Sequence, residues 1–399
     1  MASHPNPHSH PNPQPMPPHL PFSRPSISEE AIADVVAVLR SGWITSGPKV
    51  QQFERDFAAA TGAAHAVAVT SGTAGLDLIV QSLRLASGDE IITPSINWVS
   101  GPNMIELHGG TTVFCEIDPT TLQADPASVR SLITARTRAI MPVHFAGMPC
   151  DLGALRALVA GTGIMLIEDA AHAAGASHAG VAIGRDSDAA VFSFHPTKNL
   201  TTAEGGMVVC RAAATAEALR LGRFHGIRKD AWKHFGRSGR DQYAVIEPGR
   251  KYNLTDIQAQ LGIHQLRELP VANARRAALA GLYQNRLKDI GILELLAPPA
   301  AGDVHAWHIF VVLLRLDRLR SGRDAVVARL EALGIGTALH FPAVHSQDYY
   351  AQKYPGVRLP HSEAVSARLL SIPLFPGMAD SDVERVAQAF ELIAQEQGL

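Results

Sequence analysis

Between residues 64 and 170 the chain alternates between two kinds of hydrophobic spacing. Short continuous apolar runs at 64–69, 90–93, 112–117, 139–143 and 164–167 have the length and the bounding turn residues of buried strands. Between them apolar residues recur at helical spacing, as in Leu76, Ile79, Val80 and Leu83. Asp125-Pro126 reads as a cap followed by proline at the first helical position, and Asp151 stands in the same place before Leu152, Leu155 and Leu158. Strand and helix in alternation predict an α/β protein with a mainly parallel sheet covered on both faces. Ligands of such sheets gather outside the carboxyl ends of the strands, so the chemistry is to be sought there.

The flanks extend this pattern. Ser28 is a candidate N-cap for a first helix that carries Ile32, Val35, Val36 and Leu39 as its core-facing stripe and ends near Gly42. Residues 211–264 read as a helix, a polar loop and a second helix. Beyond about residue 266, Trp307–Leu314 reads as a strand, Arg323–Leu333 as a helix ending at Gly334, and Asp380–Gln395 as a last helix. The expected division is a tail over 1–20, a large domain over 21–265 and a small C-terminal domain over 266–399. The tail has seven prolines and four histidines with almost nothing apolar, and it reads as disordered. A histidine-rich metal site is the sharper reading of the tail, but no second ligand cluster accompanies it.

Composition narrows the function class. At 399 residues, with 46% hydrophobic and 18% charged residues, the chain is globular with ample core. A formal charge of −2 gives no reason to expect a nucleic acid or an anionic membrane as partner. Cys115, Cys150 and Cys210 are widely spaced and odd in number, which fits reduced thiols and a cytoplasmic setting. An apolar run of about 18 residues and a secretory leader are both missing, so no spanning helix or export is expected.

Candidate chemistry falls at the strand ends. Val191, Phe192 and Phe194 lead to Lys198, which has no charged neighbour before Glu204 and is followed by Gly205-Gly206. A lone lysine is ordinarily a solvated surface group, so its meaning depends on company. The first strand runs into Thr70-Ser71-Gly72-Thr73, where a helix N-terminus with free N–H groups suits a phosphate, although serine there is also an ordinary cap. Trp98 follows the next strand, where a ring can stack on a ligand or simply pack. The fifth strand ends Glu168-Asp169-Ala-Ala-His172. Alternation puts the two carboxylates on opposite faces, and Asp169, next to the turn, is the one expected in the cleft. Such a carboxylate could be a metal ligand, a cap or the partner of a cationic ring nitrogen. The segment Gly42–Lys49 is no Walker loop, because Pro48 removes a backbone donor. Together these residues compose a pyridoxal phosphate site, with phosphate on Ser71-Gly72-Thr73, Lys198 forming the imine and Asp169 keeping the ring nitrogen protonated so that the ring accepts electrons.

The same stretches resemble the DegT/DnrJ/EryC1/StrS family of sugar-nucleotide aminotransferases from about residue 20 onward. The likeness rests on Ser41–Lys49, Ile92–Ser95, Trp98–Ser100, Ile167–Ala173, Lys251–Ile257, His305–His308, Gly334–Thr337 and Pro373–Pro376. The resemblance implies a fold-type-I pyridoxal phosphate-dependent transferase with a mainly parallel seven-stranded sheet between helices and a smaller C-terminal α+β domain. It makes Lys198 the Schiff-base lysine, Asp169 the ring-nitrogen partner and Trp98 a residue against the ring, with His172 beside it. Ser193 would join Gly72 and Thr73 at the phosphate, and Asn253 would reach the cofactor of a partner subunit in a homodimer with shared active sites.

Within the family the stretches are most like the branch acting as UDP-4-amino-4-deoxy-L-arabinose–oxoglutarate aminotransferase, which implies a nucleotide-sugar substrate, the L-glutamate/2-oxoglutarate pair and a role in lipid A modification. Gly72 stands where that branch has alanine, Asn97 where it has threonine and Pro342 where it has arginine, so the sugar is open. Another keto-sugar aminotransferase and a non-catalytic cofactor-binding regulator are the alternatives. Arg228, Lys229, Lys233, Arg237, Arg240 and Arg250 read either as a solvated loop or as a diphosphate clamp. His305, His308, His340 and His345 lack metal-ligand spacing and read as pocket or packing residues.

Overall fold

The computed structural model describes residues 19–227 and 244–397. The tail up to residue 18 and the basic residues from Arg228 to Arg240 lie outside the described residues, so the expectations placed on them carry no structural account.

The chain opens with α1 (Glu29–Ser41) and α2 (Pro48–Thr61). It then alternates through β1 (His65–Val69), α3 (Gly72–Ser82), β2 (Glu90–Pro94), α4 (Ser100–Leu107), β3 (Thr111–Cys115), α5 (Pro126–Leu132), β4 (Thr137–Ile140), α6 (Leu152–Val159) and β5 (Met165–Asp169). A two-stranded ribbon, β6 (Ser177–His178) and β7 (Val181–Ala182), precedes β8 (Ala189–Ser193), β9 (Gly206–Cys210) and α7 (Ala213–Gly222). The C-terminal part contains α8 (Asp256–Leu287), β10 (Leu293–Leu295), β11 (Phe310–Leu314), α9 (Arg323–Ala332), α10 (Asp348–Lys353), α11 (Pro360–Arg368), β12 (Leu369–Ile372) and α12 (Asp380–Gln397).

Seven strands form the central sheet in the order β1-β9-β8-β5-β4-β2-β3. Only β9 is antiparallel, pairing that way with β1 and β8. Its direction follows from the return after Ser193, which contains no helix to carry a crossover. Side-chain alternation then divides the core. Val67, Val69, Ile167 and Val191 pack on one face with Leu76, Ile79 and Val80 of α3. Ala66, Ala68, Leu166 and Phe192 face the other way, toward Phe53 and Phe57 of α2 and Leu152 and Leu155 of α6. The caps expected at Asp125 and Asp151 form, accepting from Ala127 and Ala154 N–H at 2.9 Å each. Three antiparallel strands, β10-β11-β12, carry the smaller C-terminal core.

Three sequence expectations change. The first helix buries Ala31 and Val38, while Ile32 and Leu39 are 44% and 51% exposed, so the bulky stripe is not its inward face. Small residues face inward because α1 lies close against α8. The boundary expected at 265/266 falls inside α8, whose first half joins the large core through Ala259 and Ile263 and whose second half joins the small core through Leu279 and Tyr283. Leu20 also belongs to the small core, where it bridges to Ile335. The strand expected from Trp307 begins at Phe310, since Trp307 has a φ of 49°, outside strand geometry.

Candidate active site

The site forms where β1, β5 and β8 end. After β1 the chain turns into α3, with Ser71 as N-cap accepting from Ala74 N–H at 3.0 Å. The first N–H groups of α3 have no partner inside the helix and carry the positive end of its dipole. Thr73 Oγ1 lies 2.8 Å from Ser100 Oγ, so two hydroxyls frame the same end. Ser193 stands beside them: a Cβ on Gly72 would lie 3.0 Å from its Cβ. At Gly206 a Cβ would lie 2.6 Å from the Ser71 carbonyl carbon, so glycine lets β9 pass close under the turn.

Strand β5 separates its two carboxylates as alternation requires. Asp169 lines the cleft, and its Oδ1 accepts from Ala171 N–H at 3.0 Å. Glu168, completely buried, points to the far face, where Ser187 Oγ donates to it at 2.7 Å. Burial pushes the Asp169 carboxyl above its usual range, opposed by the Ala171 N–H and by the positive charge of Lys198.

Lys198 sits in the excursion between β8 and β9. That excursion is closed at its neck by Phe194 N–H donating to Gly205 O at 2.9 Å, and anchored by Asn199, whose Nδ2 donates to Asn273 Oδ1 at 2.8 Å and Ala306 O at 2.6 Å. Leu200, fully buried, fixes it further. The lysine is thereby held pointing into the cleft, where surrounding protein brings its pKa down to about 8 against the pull of Asp169. An amine in that range can lose its proton near neutral pH.

His172 is buried behind the cleft, and its Nδ1 accepts from Ala146 N–H at 3.2 Å. The ring is therefore neutral with its proton on Nε2, and burial holds its pKa well below the usual histidine range. His308 packs 4.3 Å from it between ring centroids, and His340 is held down to about 4, both chiefly by burial.

Ser71, Gly72, Thr73, Trp98, Asp169, His172, Ser193 and Lys198 share one cavity of about 390 Å³. Asn253 does not line it. Its Nδ2 donates to Ser46 Oγ at 2.7 Å, in the loop before α2. Arg250, itself exposed, pairs with the buried Asp77, Nε to Oδ2 at 3.1 Å. Sequence reasoning assigned no role to Ser100, Val143, Ala171 or Phe341, which also line the cavity. Ser100 and Ala171 were within reach, being two residues from Trp98 and from Asp169, whereas Phe341 arrives from the C-terminal part with no local signal. Asn97 lines the cavity too, 2% exposed, and its Nδ2 has no hydrogen-bond partner among the described residues.

The donor set suits pyridoxal phosphate: a helix N-terminus with hydroxyls for the phosphate, a carboxylate for the ring nitrogen and a depressed amine for the aldehyde. Comparison with known proteins agrees. The sequence matches the DegT/DnrJ/EryC1/StrS aminotransferase family over residues 25–391. Among solved structures, DesV of S. venezuelae, captured with a ketimine intermediate, is 34% identical with a TM-score of 0.85, covering 95% of this chain and 99% of its own. The aminotransferase TlmJ of Streptoalloteichus hindustanus is 31% identical, with a TM-score of 0.87 and coverage of 94% and 98%. PseC of Helicobacter pylori, an aminotransferase of pseudoaminic acid biosynthesis, is 26% identical, with a TM-score of 0.88 and coverage of 95% and 100%.

Proposed function

Since the chain belongs to the DegT/DnrJ/EryC1/StrS aminotransferase family and is a pyridoxal phosphate-dependent enzyme, we propose that it moves an amino group from L-glutamate to the C4 ketone of a UDP-linked 4-keto pentose. The product would be UDP-4-amino-4-deoxy-L-arabinose, used in lipid A modification and polymyxin resistance, and the work would be done in the cytoplasm. No described helix is long and apolar enough to cross a membrane. The observation that carries the reading is the meeting of Lys198, Asp169 and the α3 N-terminus in one cavity.

Each residue then has a task. The N–H groups of Gly72 and Thr73, with the Ser193 hydroxyl, bind the phosphate. Asp169 would pair with the ring nitrogen, and Trp98 and His172 would confine the ring. When bound, the cofactor would supply the electron sink that stabilises a carbanion. Lys198 would take up and return the substrate's alpha proton on its amine, a task suited to a pKa of about 8. The reading of Asn253, which stands outside its own chain's cavity, calls for a second subunit. Ile27, Ile32, Leu39, Trp43 and Ile44, all more than 40% exposed, supply apolar surface for such a contact.

A second reading keeps the chemistry and changes the sugar to a 4-keto-6-deoxyhexose or a 3-keto sugar. The unpaired Asn97 amide favours it, because a polar group in the cavity wall where the pentose branch has threonine alters what the wall can bind. Steady-state kinetics with glutamate and a panel of nucleotide keto sugars tests both readings. Ping-pong patterns with highest kcat/KM for the UDP-4-keto pentose are expected, and turnover confined to another sugar selects the second reading.

A further inference from the structure

Glu168 lies at the centre of a charged network that amino transfer does not use. From α6, Arg156 approaches its Oε1 at 3.5 Å, and Ser187 Oγ donates to the same oxygen at 2.7 Å. The His144 ring meets its Oε2 at 3.2 Å. The tautomer follows from the other ring nitrogen, since His144 Nδ1 accepts from Cys150 N–H at 3.0 Å and so carries no proton. His144 is therefore a neutral donor to Glu168, and Arg156 is the only full positive charge among the described groups that touch it. The neighbouring Asp188 turns away, accepting from Leu166 N–H at 2.9 Å and pairing with Arg211.

The network is joined to Asp169 through the backbone. His144 N–H donates to Asp169 O at 3.0 Å, and Asp169 N–H donates to Pro142 O at 2.9 Å. Asp169 itself is met by Ala171 N–H and the charge of Lys198. Adjacent positions on one strand put the two carboxylates on opposite faces, yet within a distance at which an unscreened buried charge is felt. Arg156 cancels that charge, and its own side chain is 37% exposed at the far end of the sheet, in a cleft it shares with Arg138 and Arg211.

We propose that Arg156 and Glu168 form a balanced charge pair behind β5 that sets the electrostatic potential at Asp169, so that both are positioning residues for the ring-nitrogen contact. The inference rests on the assignment of Asp169 to that contact. Its signature is a pair of shifts of opposite sign. Glu168→Gln leaves Arg156 uncancelled and adds positive potential, so a proton on the bound cofactor leaves at lower pH. Arg156→Gln leaves the Glu168 carboxylate without its counter-charge, facing only the neutral donors Ser187 and His144 among the described groups that touch it. The cofactor proton then leaves at higher pH.

The experiment is a pH titration of the visible absorption of the pyridoxal phosphate-loaded protein, for wild type, both single variants and the double variant. Expected are shifts of roughly half a pH unit, downward for Glu168→Gln and upward for Arg156→Gln, with the double variant near wild type. Melting of the apoprotein is measured alongside, because a purely structural role would lower the melting temperature without producing opposed shifts. Shifts of one sign in both variants, or none while both still take up cofactor, overturn the proposal. Should Glu168→Gln fail to fold, Arg156→Gln alone decides, since its side chain reaches solvent and only an upward shift sustains the pair. A wild-type protein that takes up no pyridoxal phosphate overturns the functional reading, and this inference with it.

Discussion

Lys198 shows how a functional side chain is tuned against stability. Its pKa of about 8 in the folded protein lies below the ordinary 10.5, so between those values the unfolded chain holds a proton that the folded chain has lost. Stability of the apoprotein therefore rises with pH across that window, and the full cost of the lysine is present below about pH 8. Lys198→Met is expected to raise apoprotein stability at pH 7 by roughly 2–3 kcal/mol, a gain that shrinks above pH 8 and vanishes near 10.5, measured by denaturant melts at several pH values. The same variant should lose amino transfer by about 10²–10⁴-fold or more. Asp169→Asn should retain cofactor but lower transfer by about 10²–10³-fold, because an amide cannot hold a proton on the ring nitrogen by charge; a rate within a few-fold of wild type would remove Asp169 from that role. At this scale the residue types were legible in the sequence, as Lys198, Asp169 and the Ser71–Thr73 turn each stand at a strand end.

At the scale of elements, α3 couples packing to phosphate binding. A Cβ on Gly75 would lie 2.7 Å from Val191 Cγ1 and 2.9 Å from Val208 Cγ2, so the helix presses on β8 and β9 directly beneath its N-terminus. Gly75→Ala gains helix propensity but must lift the helix, and a net loss of about 1–3 kcal/mol is expected. Cofactor affinity should fall with it, read by absorption titration, since the N–H groups move with the helix. Unchanged affinity alongside the lost stability would separate the packing from the site. Periodicity located this helix and most of the strands. It failed for α1, where a large-residue stripe at correct helical spacing is exposed and Ala31 and Val38 are buried. Spacing reports that a helix is two-faced, but the partner it packs against, here α8, decides which face is buried.

For the whole molecule, the proposed cofactor role of Asn253, which lies outside its own chain's cavity, requires a second subunit to complete each site. Mixed refolding of Lys198→Ala with Asn253→Ala should restore activity, because one mixed dimer site keeps both residues. Sedimentation should report a dimer, and failure to complement in a mixed dimer would return Asn253 to a structural role. Arg276 shows how the C-terminal part is tied to the second half of α8: it is 3% exposed, and its Nη1 donates to Trp307 O, His308 O and Leu374 O at 3.3, 3.1 and 2.8 Å. Nothing in the local sequence marks that arginine, and the 265/266 boundary failed for the same reason, since a long helix serving two cores has no composition break. By itself the sequence determined the strand–helix alternation, the caps and the residue types of the cofactor site, because these depend on neighbours a few positions apart. Only the tertiary structure decided that Phe341 and Val143 join the cavity, that Arg156 and His144 meet Glu168 behind β5, and that Arg250 pairs with Asp77. Those outcomes depend on contacts between segments far apart in the chain, where burial and charge compensation are set by the partner rather than by the local pattern.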